Sequence, residues 1–407
     1  MLKPITLLLL CWMFLLALLA PVHPIKAQPH SPANKAVLLT RFPFKQYYGG
    51  VVVIQARINN LPDTLQFLLD TGSAGISLDT NTCTRLGLHL DPSDVLVRGL
   101  ADSKTVSFAK NNSLQLPNLK VDSLNFHIND YELISQVYGI QIDGIIGYSL
   151  LNRYIVAIDY DTEEIAIYSK GQLDYPRGGQ LFKPAIAQIP IIPAPMRNGK
   201  SNTLNRYFMD TGAGMCLLLS NQFVKDSSVL SSKRRRNKIT QTEAQGIGGK
   251  MEMSITTMQE FRIGNYTFRN VPTYLFDDRT NITSYPFLGG MIGNDLLRRF
   301  NVVLNYPRKE IHLLPNTHFR DPFDYSYTGL IIYLIRDRIE ITDIIKSSPA
   351  EKAGFKKGDI IVAISNNFSG NLQVYRELLK NVGSKPIILI MRKGELLLKK
   401  LPIRSIL

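Results

Sequence analysis

The chain has 407 residues, of which 45% are hydrophobic and 20% are charged, and its formal net charge is +14. This length suggests two to four domains, and the composition is typical of a globular protein and excludes a low-complexity chain. With three cysteines, the chain also lacks the disulfide framework of small secreted scaffolds.

The N-terminal segment has the pattern of an export signal. One early lysine, Lys3, precedes an apolar run from Ile5 to Ala20, and small and polar residues follow. This order predicts a signal peptide over residues 1–27. An uncleaved anchor is the alternative, but the run is short for a membrane span. We therefore expect export to the periplasm or cell envelope, or secretion, with no stable membrane span after cleavage.

An internal repeat organises the next 270 or so residues, as expected for duplicated units. The stretch "QFLLDTGSAGISL" (66–78) ends an apolar run with an acid, and "RYFMDTGAGMCLLL" (206–219) does the same. The segments 143–168 and 289–314 also align. Their matched residues are Gly147 with Gly293, Arg153 with Arg299, Tyr160 with Tyr306, and Ile165 with Ile311. Two copies predict two lobes rather than a solenoid.

Each copy reads mainly as strands. "GGVVVIQARI", "TLQFLLD", "YIVAIDY" and "EEIAIYS" are rich in β-branched and aromatic residues and are bounded by Gly, Asn, Asp and Pro. Short helices are expected near 148–153 and 294–300. We predict a mainly β fold, with a first lobe over 38–176 and a second over 177–316. A polar segment broken by prolines, 317–327, is expected to be a linker.

Two further features of the sequence favour structural roles over binding. The most basic tract, 231–238, lacks the aromatic residues and the basic face of a nucleic-acid site, so we expect a solvated loop and no nucleic-acid partner. Weak attraction to anionic envelope surfaces stays open. Cys83 and Cys216 lie beside apolar residues and are expected to be buried thiols rather than a disulfide.

The C-terminal residues, 328–407, predict a small α+β module. A short helix starts at "SP" (348–349) and ends at Gly354, and an apolar strand follows. "LQVYRELLKNV" reads as an amphipathic helix. Its apolar face would hold Leu372, Tyr375, Leu378 and Leu379. "PIILIMRKG" and "ELLLKKLPI" are expected to close the module as two strands.

The two acids of the repeat, Asp70 and Asp210, are the candidate catalytic residues. A single Asp-Thr-Gly would be read as a strand-end turn, but two lobes related by a pseudo-twofold axis would bring both carboxylates to one water. Like charges that close share one proton, so one carboxylate can act as general base while the other acts as acid. The residues expected to support these loops are Thr71, Gly72, Ser73, Thr211, Gly212 and Ala213.

On these motifs the chain resembles the aspartic peptidases. D-T-G-S at 70–73 and D-T-G-A at 210–213 match the family's active-site loops, and "IIG" (145–147) and "MIG" (291–293) are similar to the segments that support them. The resemblance covers about 38–316. It implies a bilobal pepsin-like or retropepsin-like fold and an endopeptidase acting on peptide or protein substrates, with no metal or cofactor.

The sequence departs from that family in two places. Ala213 stands where a hydroxyl residue often follows the glycine, so we expect Asp210 to be less stabilised as an anion and activity to lie nearer neutral pH than pepsin's. The candidate flaps, 97–106 and 245–253, lack the tyrosine of a pepsin flap. The alternative function is therefore a non-catalytic exported peptide-binding protein that retains the cleft.

Other peptidase classes lack their motifs here. "GYSLL" (147–151) is missing the closing glycine of a serine-hydrolase elbow, and no H-E-x-x-H zinc motif is present.

The C-terminal module resembles a bacterial PDZ domain in "SPAEKAGFKKGDIIVAI" (348–364) and "TGLII" (328–332). The combination with two acid-bearing lobes looks bacterial and envelope-associated. The resemblance implies that a C-terminal peptide binds by β-augmentation between the strand after Gly329 and the helix at 372–379. Its candidate binding residues are Gly329, Leu330, Ile331 and Ile332. The alternatives are a docking module without its own ligand and a module that gates the cleft.

Overall fold

The computed structural model describes residues 34–99, 103–230, 239–246, 249–283 and 285–407. The expected signal peptide and the basic tract lie outside the described residues. Lys35–Leu407 form one compact unit. In the part of the chain that is described, no helix is long and apolar enough to cross a membrane.

The first copy of the repeat forms a closed barrel, the first lobe. The sheet runs β2-β3-β4-β10-β5-β9-β8, and a further pairing of β3 with β8 closes it. β4 is buried at four of its five positions because it lies between β3 and β10. The elements are β1 (Leu38–Pro43), β2 (Lys45–Gln46), β3 (Val52–Ile58), β4 (Leu65–Leu69), β5 (Ile76–Asp79), α1 (Thr80–Arg85), β6 (Leu96–Arg98), β7 (Ser103–Thr105), β8 (Phe108–Leu116), β9 (Leu119–Asn129), α2 (Glu132–Tyr138), β10 (Gly144–Ile146), α3 (Tyr148–Leu151), β11 (Ile155–Asp159) and β12 (Glu164–Tyr168).

The second copy forms the second lobe with the same topology. Its sheet runs β14-β15-β16-β21-β17-β20-β19-β18, and β15 pairs with β19 to close it. The elements are β13 (Gln180–Phe182), β14 (Ala185–Ile186), β15 (Pro190–Asn198), β16 (Ser201–Met209), β17 (Leu217–Ser220), α4 (Asn221–Ser227), β18 (Thr240–Gly246), β19 (Gly249–Ile263), β20 (Tyr266–Phe276), β21 (Gly290–Ile292), α5 (Asn294–Leu297), β22 (Phe300–Asn305) and β23 (Glu310–Pro315).

The local sequence sets matching elements in both lobes. Asp79 caps α1 by accepting a hydrogen bond from the Thr82 amide, and Ser220 caps α4 in the same way through Phe223. The expected short helices are present as α3 and α5. Cys83 and Cys216 are buried free thiols, as predicted.

A six-stranded sheet joins the lobes, in the order β1-β12-β11-β22-β23-β13. At its centre β11 pairs antiparallel with β22, with Ala157 opposite Val303. The repeat places each lobe's last hairpin here, so the pseudo-twofold axis passes between the two central strands. The sheet connects the two barrels through continuous backbone hydrogen bonds and so sets their relative orientation. The bounds 38–176 and 177–316 stay predictions.

The segment predicted as a linker packs closely against the second lobe. Phe319 and Phe323 lie against the main core, and the Arg299 guanidinium lies 4.3 Å from the Phe323 ring. Arg299 also donates to the Asp321 carbonyl at 2.6 Å and to the Asp295 carbonyl at 2.8 Å. The predicted linker, residues 317–327, therefore forms a packed segment, which we call the strap. It is held in place because the buried Arg299 donates hydrogen bonds to its backbone carbonyls.

The C-terminal module is a five-stranded antiparallel sheet with two short helices. Its order follows the chain, and Leu372, Tyr375 and Leu379 join its core as predicted, while Leu378 is half-buried. It also contacts the first lobe, where the Gln373 side chain donates to the Tyr138 carbonyl at 2.9 Å. The elements are β24 (Leu330–Ile335), β25 (Arg338–Ile344), α6 (Pro349–Lys352), β26 (Ile360–Ile364), α7 (Leu372–Leu378), β27 (Ile387–Arg392) and β28 (Glu395–Lys400).

Candidate active site

The structure brings Asp70 and Asp210 together at the junction of the lobes. Each acid follows the end of a central strand, β4 or β16, whose parallel neighbour is β10 or β21. The Asp70 amide donates to the Ile146 carbonyl and the Asp210 amide to the Ile292 carbonyl, both at 2.9 Å. The "IIG" and "MIG" segments therefore hold the two acid loops, as the sequence predicted.

Two threonines bond the loops to each other. The Thr71 amide donates to the Thr211 hydroxyl and the Thr211 amide to the Thr71 hydroxyl, each at 3.0 Å. The Thr71 hydroxyl then donates to the Met209 carbonyl at 2.7 Å, and the Thr211 hydroxyl to the Leu69 carbonyl at 3.0 Å. Both threonines are buried. Four reciprocal hydrogen bonds thus fix one acid relative to the other.

The carboxylates are held by backbone amides and by each other. The Gly72 amide donates to Asp70 Oδ1 at 2.6 Å, and the Gly212 and Ala213 amides donate to Asp210 Oδ1 at 2.9 Å. Burial, and next the charge of Asp210, raise the pKa of Asp70 well above its usual range. Burial also raises the pKa of Asp210, but its hydrogen bonds with Asp70, Ala213 and Gly212 oppose that rise. Burial thus disfavours charge on both acids at once.

Only glycine fits beside these acids. A Cβ added at Gly72 would lie 2.5 Å from Asp210 Oδ2, and one added at Gly212 would overlap the Asp70 carboxyl group. Each glycine thus touches the acid of the opposite lobe, which explains its place in both copies.

The remaining loop residues have smaller roles in the geometry. The Ser73 amide lies 3.3 Å from the Asp70 carbonyl oxygen. Ala213 contributes its backbone amide to Asp210, and the expected effect of its missing hydroxyl on pH dependence stays a prediction. Among the described residues, no group of three or more His, Cys, Asp or Glu side chains has a metal-binding arrangement.

Both flap candidates contain hairpins. β6 pairs antiparallel with β7 in the first lobe, and β18 with β19 in the second. Residues 100–102 and 247–248 lie outside the described residues. The Thr280 hydroxyl, from the second lobe, donates to the Gly99 carbonyl at 3.0 Å. The first hairpin is therefore bonded across to the opposite lobe.

Helix α2 and its last residue, Tyr138, were not predicted from the sequence. Burial raises the pKa of Tyr138, and the charges of Asp70 and Asp210 raise it further, while that of Arg376 lowers it. Tyr138 therefore lies within electrostatic reach of both the acids and the C-terminal module. The left-handed Gly139 (φ 68°) that ends the helix was the available signal.

The four candidate peptide-binding residues of the C-terminal module lie at the start of β24. The Gly329 amide donates to the Ser326 hydroxyl at 2.9 Å and the Leu330 amide to the Thr328 hydroxyl at 3.2 Å. Leu330 and Ile332 are buried and Ile331 is half-buried. Arg376, which was not predicted from the sequence, donates to the Ile332 carbonyl at 3.0 Å. The binding role of these residues stays a prediction.

Parts of the chain match two protein-family models. Residues 54–150 and 195–296 match the aspartyl protease family model, and residues 340–393 match a PDZ domain model. The crystal structure of an aspartic proteinase from Irpex lacteus is similar, with 16% identity, a TM-score of 0.44, and coverage of 70% of this chain and 99% of that chain. No curated protein matches the chain. The two lobes belong to the aspartyl protease family, and the C-terminal module is a PDZ domain.

Proposed function

We propose that this chain is an aspartic endopeptidase that hydrolyses peptide bonds with a water activated between Asp70 and Asp210. The observation that supports this most is the hydrogen-bonded pair of acids, fixed by the reciprocal bonds of Thr71 and Thr211. A pair held this closely cannot ionise twice at moderate pH, so it keeps one proton for acid catalysis and one carboxylate for base catalysis.

The roles of the two acids follow from their surroundings. Asp210 accepts hydrogen bonds from two backbone amides, which stabilise its ionised form, so it takes a proton from the attacking water. Asp70 holds the shared proton and donates it to the carbonyl oxygen of the scissile bond. The water oxygen bonds to the carbonyl carbon. Asp210 then passes its proton to the amide nitrogen and the carbon–nitrogen bond breaks, while Asp70 takes back a proton as the carbonyl re-forms. The products are an acid and an amine, and no covalent enzyme intermediate forms.

The PDZ domain is proposed to bind a peptide, either a substrate or a separate C-terminal ligand. It lies against the first lobe through Gln373 and Tyr138, so a bound peptide would be near the cleft. We further propose export, on the basis of the N-terminal sequence over residues 1–27.

Cleavage of a mixed peptide library between pH 3 and 8 tests the proposed catalysis. Wild type should cut peptides, and Asp70→Asn and Asp210→Asn should each abolish cutting. The control is Asp122→Asn, which alters an exposed acid that forms an ion pair with Lys120. Cutting that survives either dyad substitution would remove the shared mechanism. A folded wild type that cuts nothing would instead support the alternative, an exported peptide-binding protein that retains the cleft.

A further inference from the structure

The last strand of the PDZ domain, β28, lies at the edge of its sheet and carries exposed leucines. Among the described residues, β28 pairs with β27 and with no other strand. The Leu396 and Leu398 side chains are 63% and 72% exposed, whereas Leu397 between them is half-buried and packs against the PDZ core. An edge strand with an exposed apolar side is a template for pairing with a further strand.

The backbone of β28 also has groups directed away from β27. Arg392 lies opposite Glu395 across the two-residue turn 393–394, whose φ values are 51° and 87°. In such a hairpin the residues that flank the turn form a hydrogen-bonded pair, and the pairs then alternate along the strands. The amides and carbonyls of Leu396 and Leu398 therefore point to the free edge, and within the described part of the chain no other backbone group bonds them.

The charges of β28 are arranged for pairing with a second copy of the same strand. The strand begins with an acid, Glu395, and ends with two bases, Lys399 and Lys400. Antiparallel pairing about a twofold axis at Leu397 places Glu395 opposite the partner's Lys399, and the symmetry repeats this pair at the other end. Opposite charges that face each other across two strands stabilise the pairing.

The same register matches the apolar side chains. It places Leu396 opposite the partner's Leu398, so their outward backbone groups can form hydrogen bonds in both directions. It also places Lys400 opposite Gly394, where an added Cβ would have no atom within 4 Å. A shift by two residues would instead place Lys399 opposite Leu397, and a shift by one residue would bring opposite faces together.

We propose that this chain forms a twofold dimer through antiparallel pairing of β28 with β28 of a second copy, with Glu395 opposite the partner's Lys399. The two five-stranded sheets then join into one continuous sheet. Strand β24, which carries the candidate peptide-binding residues, lies at the other edge of each sheet and stays outside the new contact. The dimer goes beyond the proposed catalysis and needs neither Asp70 nor Asp210.

Sedimentation velocity of residues 28–407, which retain the whole compact unit Lys35–Leu407, tests the dimer. Because a single strand pair buries a small area, we expect dimerisation over a range of about 1 to 100 µM. Wild type that is monomeric throughout this range would overturn the proposal. Binding of such a monomer to phosphatidylglycerol vesicles would assign the exposed leucines to a lipid surface instead.

A charge exchange tests the register. Glu395→Lys places like charges opposite each other at both ends of the contact, so the dissociation constant of the dimer should rise about tenfold or more. Adding Lys399→Glu to this variant restores both opposite-charge pairs and should return dimerisation to the wild-type level. The control, Asp94→Lys, makes the same change of charge at an exposed acid of the first lobe and should leave dimerisation unchanged.

Circular dichroism verifies that each variant is folded. A folded Glu395→Lys that dimerises like wild type would overturn this surface, even if the chain dimerises in another way. A double variant that dimerises no better than Glu395→Lys would overturn the proposed register.

Discussion

Replacing Thr71 by alanine removes one hydroxyl that serves two buried backbone groups. That hydroxyl donates to the Met209 carbonyl at 2.7 Å and accepts from the Thr211 amide at 3.0 Å. Both partners belong to the opposite lobe, and alanine offers neither a donor nor an acceptor. Each buried group left unpaired costs about 1–3 kcal/mol. The free energy of unfolding should therefore fall by about 2–6 kcal/mol, a large part of the roughly 5–15 kcal/mol of a typical protein.

Urea unfolding of three variants checks this value. Thr71→Ser keeps the hydroxyl and loses only a methyl group, so its loss should be about 1 kcal/mol. Thr162→Ala removes an exposed threonine in the turn after β11 and should change stability by less than about 0.5 kcal/mol. Unfolding of Thr71→Ala and Thr71→Ser at the same urea concentration, with equal slopes, would refute this role of the Thr71 hydroxyl.

Three further predictions concern the acids and the strap. Gly72→Ala should lower kcat in the peptide assay about 100-fold, because the added Cβ would displace Asp210. The control Gly75→Ala should retain activity, since its added Cβ would lie 3.5 Å from the nearest side-chain atom. Equal losses of activity in the two variants would contradict this prediction. The raised pKa of Asp70 means that the native state binds this proton more tightly than the unfolded chain, so stability falls as pH rises above about 4. Asp70→Asn should accordingly raise Tm at pH 7, with the gain fading toward pH 3, and a pH-independent gain in thermal unfolding would be inconsistent with that. Arg299→Met should lower the free energy of unfolding, measured in urea, by roughly 3–5 kcal/mol, because the buried Asp295 carboxylate loses one of its cationic partners. Arg153→Met, at the matching position of the repeat, should lower it by less than about 1 kcal/mol. Similar losses in the two variants would count against the structural role of the strap.

The repeat made most of the fold accessible from sequence. Each acid ends an apolar strand and each copy carries a matching glycine segment, so local patterns alone indicated two lobes that meet at Asp70 and Asp210. The described parts of both flap hairpins and the short helices α3 and α5 were also predictable. They depend on turn residues and strand alternation close in sequence.

What the sequence could not indicate depends on contacts between distant segments. Arg153 and Arg299 align in the repeat, but only Arg299 is deeply buried, because residues 319–323 fold back over it. Arg376 reads as the polar side of an amphipathic helix and becomes buried because Tyr48, more than 300 residues earlier, covers it. Helix α2 is too short for its apolar spacing to stand out from the strands around it.

The reciprocal threonine bonds have a consequence for the timing of synthesis. A chain emerging from the ribosome carries Asp70 long before Asp210, and until the second loop arrives, Thr71 has neither the Thr211 hydroxyl nor the Met209 carbonyl to bond. The acid pair therefore cannot assemble on a nascent or truncated chain that stops short of residue 211. Because β11 needs β22 as its neighbour in the joining sheet, the pair is complete only after nearly three quarters of the chain has been made.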